Sequence, residues 1–151
     1  MLLDDVIAKL GGSGIGLTSG TNLFAGTLPD SPDSAVAVYE TGGIFPLHTM
    51  NVSAGQAVAE RPRVQIVSRG MRYQAARQTA HLISQTLDGL NNDIINGNRY
   101  LQITAVSSPA AMGLDASGRI RLTQSFDIIK ALHTSTSTAA EAQGWVQDDW
   151  V

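Results

Sequence analysis

Three features of this sequence of 151 residues predict a single α+β domain: an antiparallel or mixed sheet of about four strands, one long helix packed on a face of it, and a short N-terminal helix nearby. The first is the stretch from Glu60 to Leu90, where a strand, a turn and an amphipathic helix follow one another directly. Val64, Ile66 and Ser68 alternate there with Gln65 and Val67, the pattern of a pleated strand with one face buried. From Tyr73 the period changes. Tyr73, Ala76, Ala80, Ile83, Leu87 and Leu90 recur at spacings of 3, 4, 3, 4 and 3, one stripe along a helix of about five turns. The second feature is the alternation of Ile120, Leu122, Gln124, Phe126 and Ile128 with Arg121, Thr123, Ser125 and Asp127. The third is size: a domain of this length buries roughly 68–70% of its unfolded surface and folds without staples.

Taken in order, Leu3, Val6, Ile7 and Leu10 share one face of a short first helix, with Asp4 and Asp5 near its positive end and Lys9 near its negative end. Gly11 and Gly12 end it. The run GGSGIGLTSGTN that follows is rich in glycine, but it follows a helix rather than a strand and opens no helix, so a flexible connection is the better reading than a phosphate cradle. LPDSPDS has turn chemistry, and Ala35 to Glu40 alternates as a strand. Thr41 to Glu60 reads as a loop of about twenty residues, long for a compact domain.

Beyond the central helix, Gly89 with Asn91 and Asn92 supplies a left-handed stop, and Asn96-Gly97-Asn98 a tight turn after a short strand from Asp93 to Ile95. Tyr100 to Val106 reads as a strand, SSPAAMGLDASG as a loop, and Arg119 to Ile128 as the strand that pairs back through it. This places the domain at residues 1–130. The stretch 131–151 is an extension, poor in apolar residues except for Trp145, Val146, Trp150 and Val151, that either docks on a neighbour or is disordered.

The sequence holds no cysteine, which excludes disulfides and thiolate metal sites. Its start is acidic where a signal peptide is basic, and no apolar run reaches the roughly 20 residues of a membrane span, so a soluble protein with no membrane contact is expected. A net charge of −3 conceals an asymmetry, because Arg61, Arg63, Arg69, Arg72 and Arg77 all fall in the central unit. Two readings of this cluster stand: a protein interface, which favours arginine, and contact with a nucleic-acid backbone, which ordinarily asks for a basic domain with lysines.

No pattern argues for catalysis, a metal or a cofactor. His48, His81 and His133 lie in unlike settings, none with a second ligand at metal spacing. The carboxylate pairs Asp30/Asp33 and Asp148/Asp149 sit in a turn and in the extension, where solvated charge is commoner than acid–base work. His48 in the long loop and Trp145 and Trp150 in the extension join the five arginines as candidates for an interface or a lumen.

Several short pieces nonetheless fall into one order. Gly20-Thr21-Asn22-Leu23-Phe24 leads to Leu28-Pro29-Asp30, then Ala37-Val38-Tyr39-Glu40-Thr41-Gly42-Gly43 with Pro46, then Arg61-Pro62-Arg63-Val64-Gln65-Ile66, then Tyr73, Ala76 and Arg77. Ile95-Asn96-Gly97, Tyr100-Leu101, Ser108-Pro109, Gly113, Asp115, Gly118-Arg119 and Phe126 complete the order. Over roughly residues 1 to 130 this resembles the tailed-phage family often labelled minor capsid protein, which is similar to the tail terminators of long-tailed phages. The resemblance implies a non-enzymatic virion protein without cofactor. It would form a six-membered ring at the head-proximal end of the tail tube, stop tube polymerisation and join the tube protein to the head–tail connector or stopper. It further implies a place in the virion neck after assembly in the host cytoplasm. Two other functions are carried beside it: a head-completion or adaptor protein on the portal side, and a DNA-binding protein that uses the arginine cluster.

Overall fold

The computed structural model describes residues 2–47 and 58–132. In chain order these form α1 (Leu2–Gly11), β1 (Leu23–Ala25), β2 (Ala35–Leu47), β3 (Ala59–Gly70), α2 (Tyr73–Leu87), β4 (Leu90–Ile95), β5 (Asn98–Ala105), β6 (Ala110–Leu114) and β7 (Ile120–Ala131). The strands make one seven-stranded sheet in the order β1-β2-β3-β7-β5-β4, with β6 also paired to β7. Every pairing is antiparallel except β1 with β2.

This corrects the expected architecture of about four strands under one long helix. The protein is mostly sheet, and α2 has 15 residues rather than about five turns. Leu90 lies outside α2, because Gly89 takes φ +84° and donates its amide to the Ile103 carbonyl at 2.9 Å, which opens β4 at once. β1 is too short to show a period, and glycine accounts for the rest. Glycines that read as breaks are absorbed inside strands as register shifts, between Glu40 and Gly43 in β2 and between Ala111 and Gly113 in β6. Thr41 to Leu47 and Ala59 to Glu60, expected as loop, therefore belong to one long β2–β3 hairpin. Gly43 is required there: its φ is +121°, and a Cβ would collide with the Arg61 carbonyl oxygen of the facing strand.

Both helices cover one face of the sheet. Val6 and Leu10 of α1 share a buried cluster with Ile83 and Leu87 of α2, Val64 and Ile66 of β3, and Phe126 and Ile128 of β7. Ala76 and Ala80 pack on Leu122 in a second cluster. Small side chains at this end of α2 let the helix approach closely, as the alanine pair in the sequence implies; a Cβ on Gly70 would meet that of Ala76 at 3.4 Å. Tyr73 departs from the expected stripe and is 54% exposed, one turn before the buried run begins. Burial of Ile83 and Leu87, each 1% exposed, contributes roughly 1.5–3 kcal/mol apiece.

One irregularity serves the core directly. Between Tyr100 and Gln102 the β5–β7 register slips, with Tyr100 opposite Lys130 and Gln102 opposite Ile129. Tyr100 and Ile103, three positions apart, are both buried as a result. Asp5, which the sequence places only at a helix end, is 1% exposed and accepts hydrogen bonds from the Tyr100 hydroxyl, Asn96 Nδ2 at 3.0 Å and Asn98 Nδ2 at 2.9 Å. The Asn96-Gly97 turn, with φ of +52° and +80°, aims the two flanking asparagines at that carboxylate.

Candidate functional site

Side chains alternate across β3, so with Val64, Ile66 and Ser68 on the helix side, Arg61, Arg63, Gln65, Val67 and Arg69 stand in a row on the helix-free side. Arg72 and Arg77 belong to the helix layer instead. The five clustered arginines of the sequence are therefore divided between the two sides of the sheet.

Each has its own setting. Arg61 stacks on the Phe45 ring at 4.6 Å and donates Nε to the Phe45 carbonyl at 3.0 Å, which clasps the outer part of the β2–β3 hairpin. Arg63 faces Asp127 across the β3–β7 ladder and grips it with a fork, Nε to Oδ1 at 2.7 Å and Nη2 to Oδ2 at 3.2 Å. That hydrogen bond, then the charge of Asp127, raises the Arg63 guanidinium pKa further. Arg69 is 5% exposed and ties down the 30–33 turn through the carbonyls of Asp33 at 3.0 Å and Pro32 at 2.5 Å. Arg72 is the residue before α2, with no side-chain cap bond. Arg77 lines a shallow groove with Tyr73, Gln74, Gln78 and His81. His48, Trp145 and Trp150 lie outside the described residues.

Two arginines that the sequence does not single out complete the helix-free face. Arg119 is 5% exposed and gathers three carboxylates, Asp115 at 2.9 Å, Asp30 at 2.8 Å and Asp33 at 3.2 Å, together with the Asp30 carbonyl at 2.5 Å. The Asp30 hydrogen bond leads in raising its pKa, against burial. Asp115 in turn accepts the backbone amides of Ser117 and Arg119, each at 2.9 Å. The Arg119 amide is the largest cause of a carboxyl pKa below its ordinary value. Asp30 and Asp33, read as solvated turn charge, are largely exposed yet tie the 30–33 turn to Arg119, and the more buried Asp115 ties the 115–118 turn to it. The available signal was the pairing of two Asp-bearing turns with an arginine at the start of a strand, but nothing local says that they meet.

Arg121 stands directly opposite Arg69 in the β3–β7 register. These two and Arg119 line an open cleft of about 510 Å³ together with Leu28, Val67 and Met112. Apolar side chains also reach solvent at the outer β2–β3 hairpin, where Ile44 is 58% and Phe45 75% exposed, and on β6, where Leu114 is 64% exposed. Among the described residues no group of three His, Cys, Asp or Glu side chains could hold a metal ion, and no helix is long and apolar enough to cross a membrane.

The chain folds as one seven-stranded sheet with helices on one face and a charged, open second face. A solved chain titled "Virion of native gene transfer agent (GTA) particle" shares it at a TM-score of 0.61 and 14% identity, over 86% of this chain and 94% of that one. No curated protein matches the sequence. A family profile described as bacteriophage tail terminator protein matches residues 7–132, and the chain belongs to that family, one of structural virion proteins.

Proposed function

We propose that this protein forms a homo-hexameric ring on the head-proximal end of the phage tail tube, ends tube polymerisation there and joins the tail to the head connector. Membership of the tail terminator family across residues 7–132 carries this reading. The surface supports it. The outer β2–β3 hairpin exposes Ile44, Phe45 and Leu47, and beyond Val38 the outer edge of β2 has no strand partner among the described residues. An unpaired, apolar strand edge is suited to pairing with another subunit. The assembling domain spans residues 1–130, with 131–151 as an extension to it.

Arg72 and Arg77 on the helix side and Arg61 on the hairpin are the members of the arginine cluster best placed for contact with the tube protein, the connector or a neighbouring copy. Arg69 is engaged by its own chain. Any arginine facing the lumen would meet passing genomic DNA through the phosphate backbone, without reading sequence. The protein would accordingly reside at the virion neck, after assembly in the host cytoplasm.

Electron microscopy of particles made without this gene tests the reading. Tails of irregular, excessive length with no heads attached are expected. Tails of normal length beside separate, leaking heads would overturn it in favour of an adaptor on the portal side.

A further inference from the structure

Across the β3–β7 ladder, Arg69 and Arg121 are direct partners on the helix-free face. Like charges in that position destabilise a sheet unless something compensates them. Arg69 has carbonyl partners only. Arg121 has less: its Nε is buried and no hydrogen-bond partner meets it. The Arg121 side chain lines the open cleft, and an anionic acceptor there would offset the like-charge pair. The nearby carboxylates do not supply one. Asp30, Asp33 and Asp115 converge on Arg119, and the side chains of Asp30 and Asp33 are 93% and 61% exposed, where water screens them. The cleft above this pair has apolar lining from Leu28, Val67 and Met112 besides its charge.

A ligand for such a site needs a carboxylate next to a large apolar group. The sequence supplies one in Trp145-Val146-Gln147-Asp148-Asp149-Trp150, which also contains both tryptophans of the chain. We propose that this acidic, tryptophan-bearing segment docks in the cleft of its own subunit, with Asp148 or Asp149 on Arg121 and a tryptophan against the Val67 and Met112 side.

The chain is long enough for this. Leu132 bonds to Val58 at the end of the β3–β7 pair remote from Arg121, about 36 Å away at strand rise. The sixteen residues from there to Asp148 span up to about 53 Å when extended. The inference rests on the cleft and not on the role in the tail, so it stands or falls separately from that role.

Tryptophan fluorescence of the full chain reads the docking directly, because no tryptophan lies elsewhere. A blue-shifted emission, protected from acrylamide and unchanged on dilution, is expected at low salt. Arg121→Gln, and separately Asp148→Asn with Asp149→Asn, should each shift emission to the red and raise quenching. Each should lower the docked-to-free ratio about tenfold, the usual effect of removing one charge-assisted hydrogen bond. The tail variants alter no residue of the described sheet, so they guard against a trivial loss. Water-exposed tryptophans in the unaltered protein, or protection that survives both changes, would overturn the proposal. Protection lost on dilution would overturn docking within one subunit in favour of exchange between copies.

Discussion

The Tyr100 hydroxyl donates a hydrogen bond to Oδ2 of Asp5 across 95 positions of sequence, and neither side chain is more than 1% exposed. It couples the first helix to β5 through a polar contact inside an otherwise apolar cluster. Tyr100→Phe removes one of the donors to Asp5 and should cost about 1–2 kcal/mol in denaturant unfolding. Asp5→Ala leaves the tyrosine and two asparagine donors to find other partners, and should cost roughly 3 kcal/mol. A double-mutant cycle in which the two losses simply add would show that the contact is not energetically coupled.

The same contact sets two pH limits. Burial raises the Asp5 carboxyl pKa, but the hydrogen bonds from Tyr100, Asn96 and Asn98 outweigh it and hold the group below its ordinary 3.8. A depressed folded-state pKa gives stability that is present above the unfolded value and lost as pH falls through the folded one. Melting temperature should therefore hold through mildly acid buffer and drop below about pH 4, with a smaller drop in Asp5→Asn. At the other end burial, then the Asp5 hydrogen bond and charge, push the Tyr100 phenol well above its ordinary 10.0. A raised phenol gives stability present below the unfolded pKa and lost above it, so unfolding should set in above about pH 10 and be weaker in Tyr100→Phe. Identical pH profiles for the variants and the parent protein would refute this assignment.

Gly43→Ala should damage the outer β2–β3 hairpin selectively. Its positive φ and the Arg61 carbonyl beside it leave no room for a methyl group. Strain of this kind costs about 1–3 kcal/mol. Gly42→Ala, also at positive φ but with open space around it, should cost less. Hydrogen exchange localises the effect: faster exchange along Ile44 and Arg61 with the β5–β7 amides unchanged is expected, whereas a uniform change would mean the hairpin is not an independent unit.

Arg119→Gln should release both turns that the guanidinium holds. Limited proteolysis should then cut within residues 30–33 and 115–118 while the unfolding transition remains cooperative. Unchanged cleavage would mean that the turns are fixed by their own backbone bonds.

The sequence reveals what short periods can carry. Ala76, Ala80, Ile83 and Leu87 are buried as their spacing requires and the β7 alternation holds, whereas β3 is buried on both faces from Ile66 to Gly70, with Val67 and Arg69 each 5% exposed. It does not reveal strands too short for a period, such as the three residues of β1 and five of β6, or strands that continue through glycine. The arginine cluster shows the same division. Arg61, Arg63 and Arg69 lie close in sequence, and alternation places them on one side. Arg119 and Arg121 join Arg69 only through the β3–β7 register, which pairs residues about fifty apart and leaves no local mark. Asp5 is invisible for the same reason, since its burial depends on Asn96, Asn98 and Tyr100.

The position of β7 has a bearing on synthesis. Among the described residues it is the last strand, yet it alone joins the β2–β3 hairpin to the β4–β5 hairpin and also carries β6. On the ribosome the two hairpins and α2 emerge with neither hairpin able to hydrogen-bond to the other, and the apolar edges of β3 and β5 wait for Ile120 to Ala131. Commitment to the native sheet therefore comes with the final segment of the domain, so a nascent chain stalled before Ile120 is a substrate for chaperones and proteases rather than for assembly.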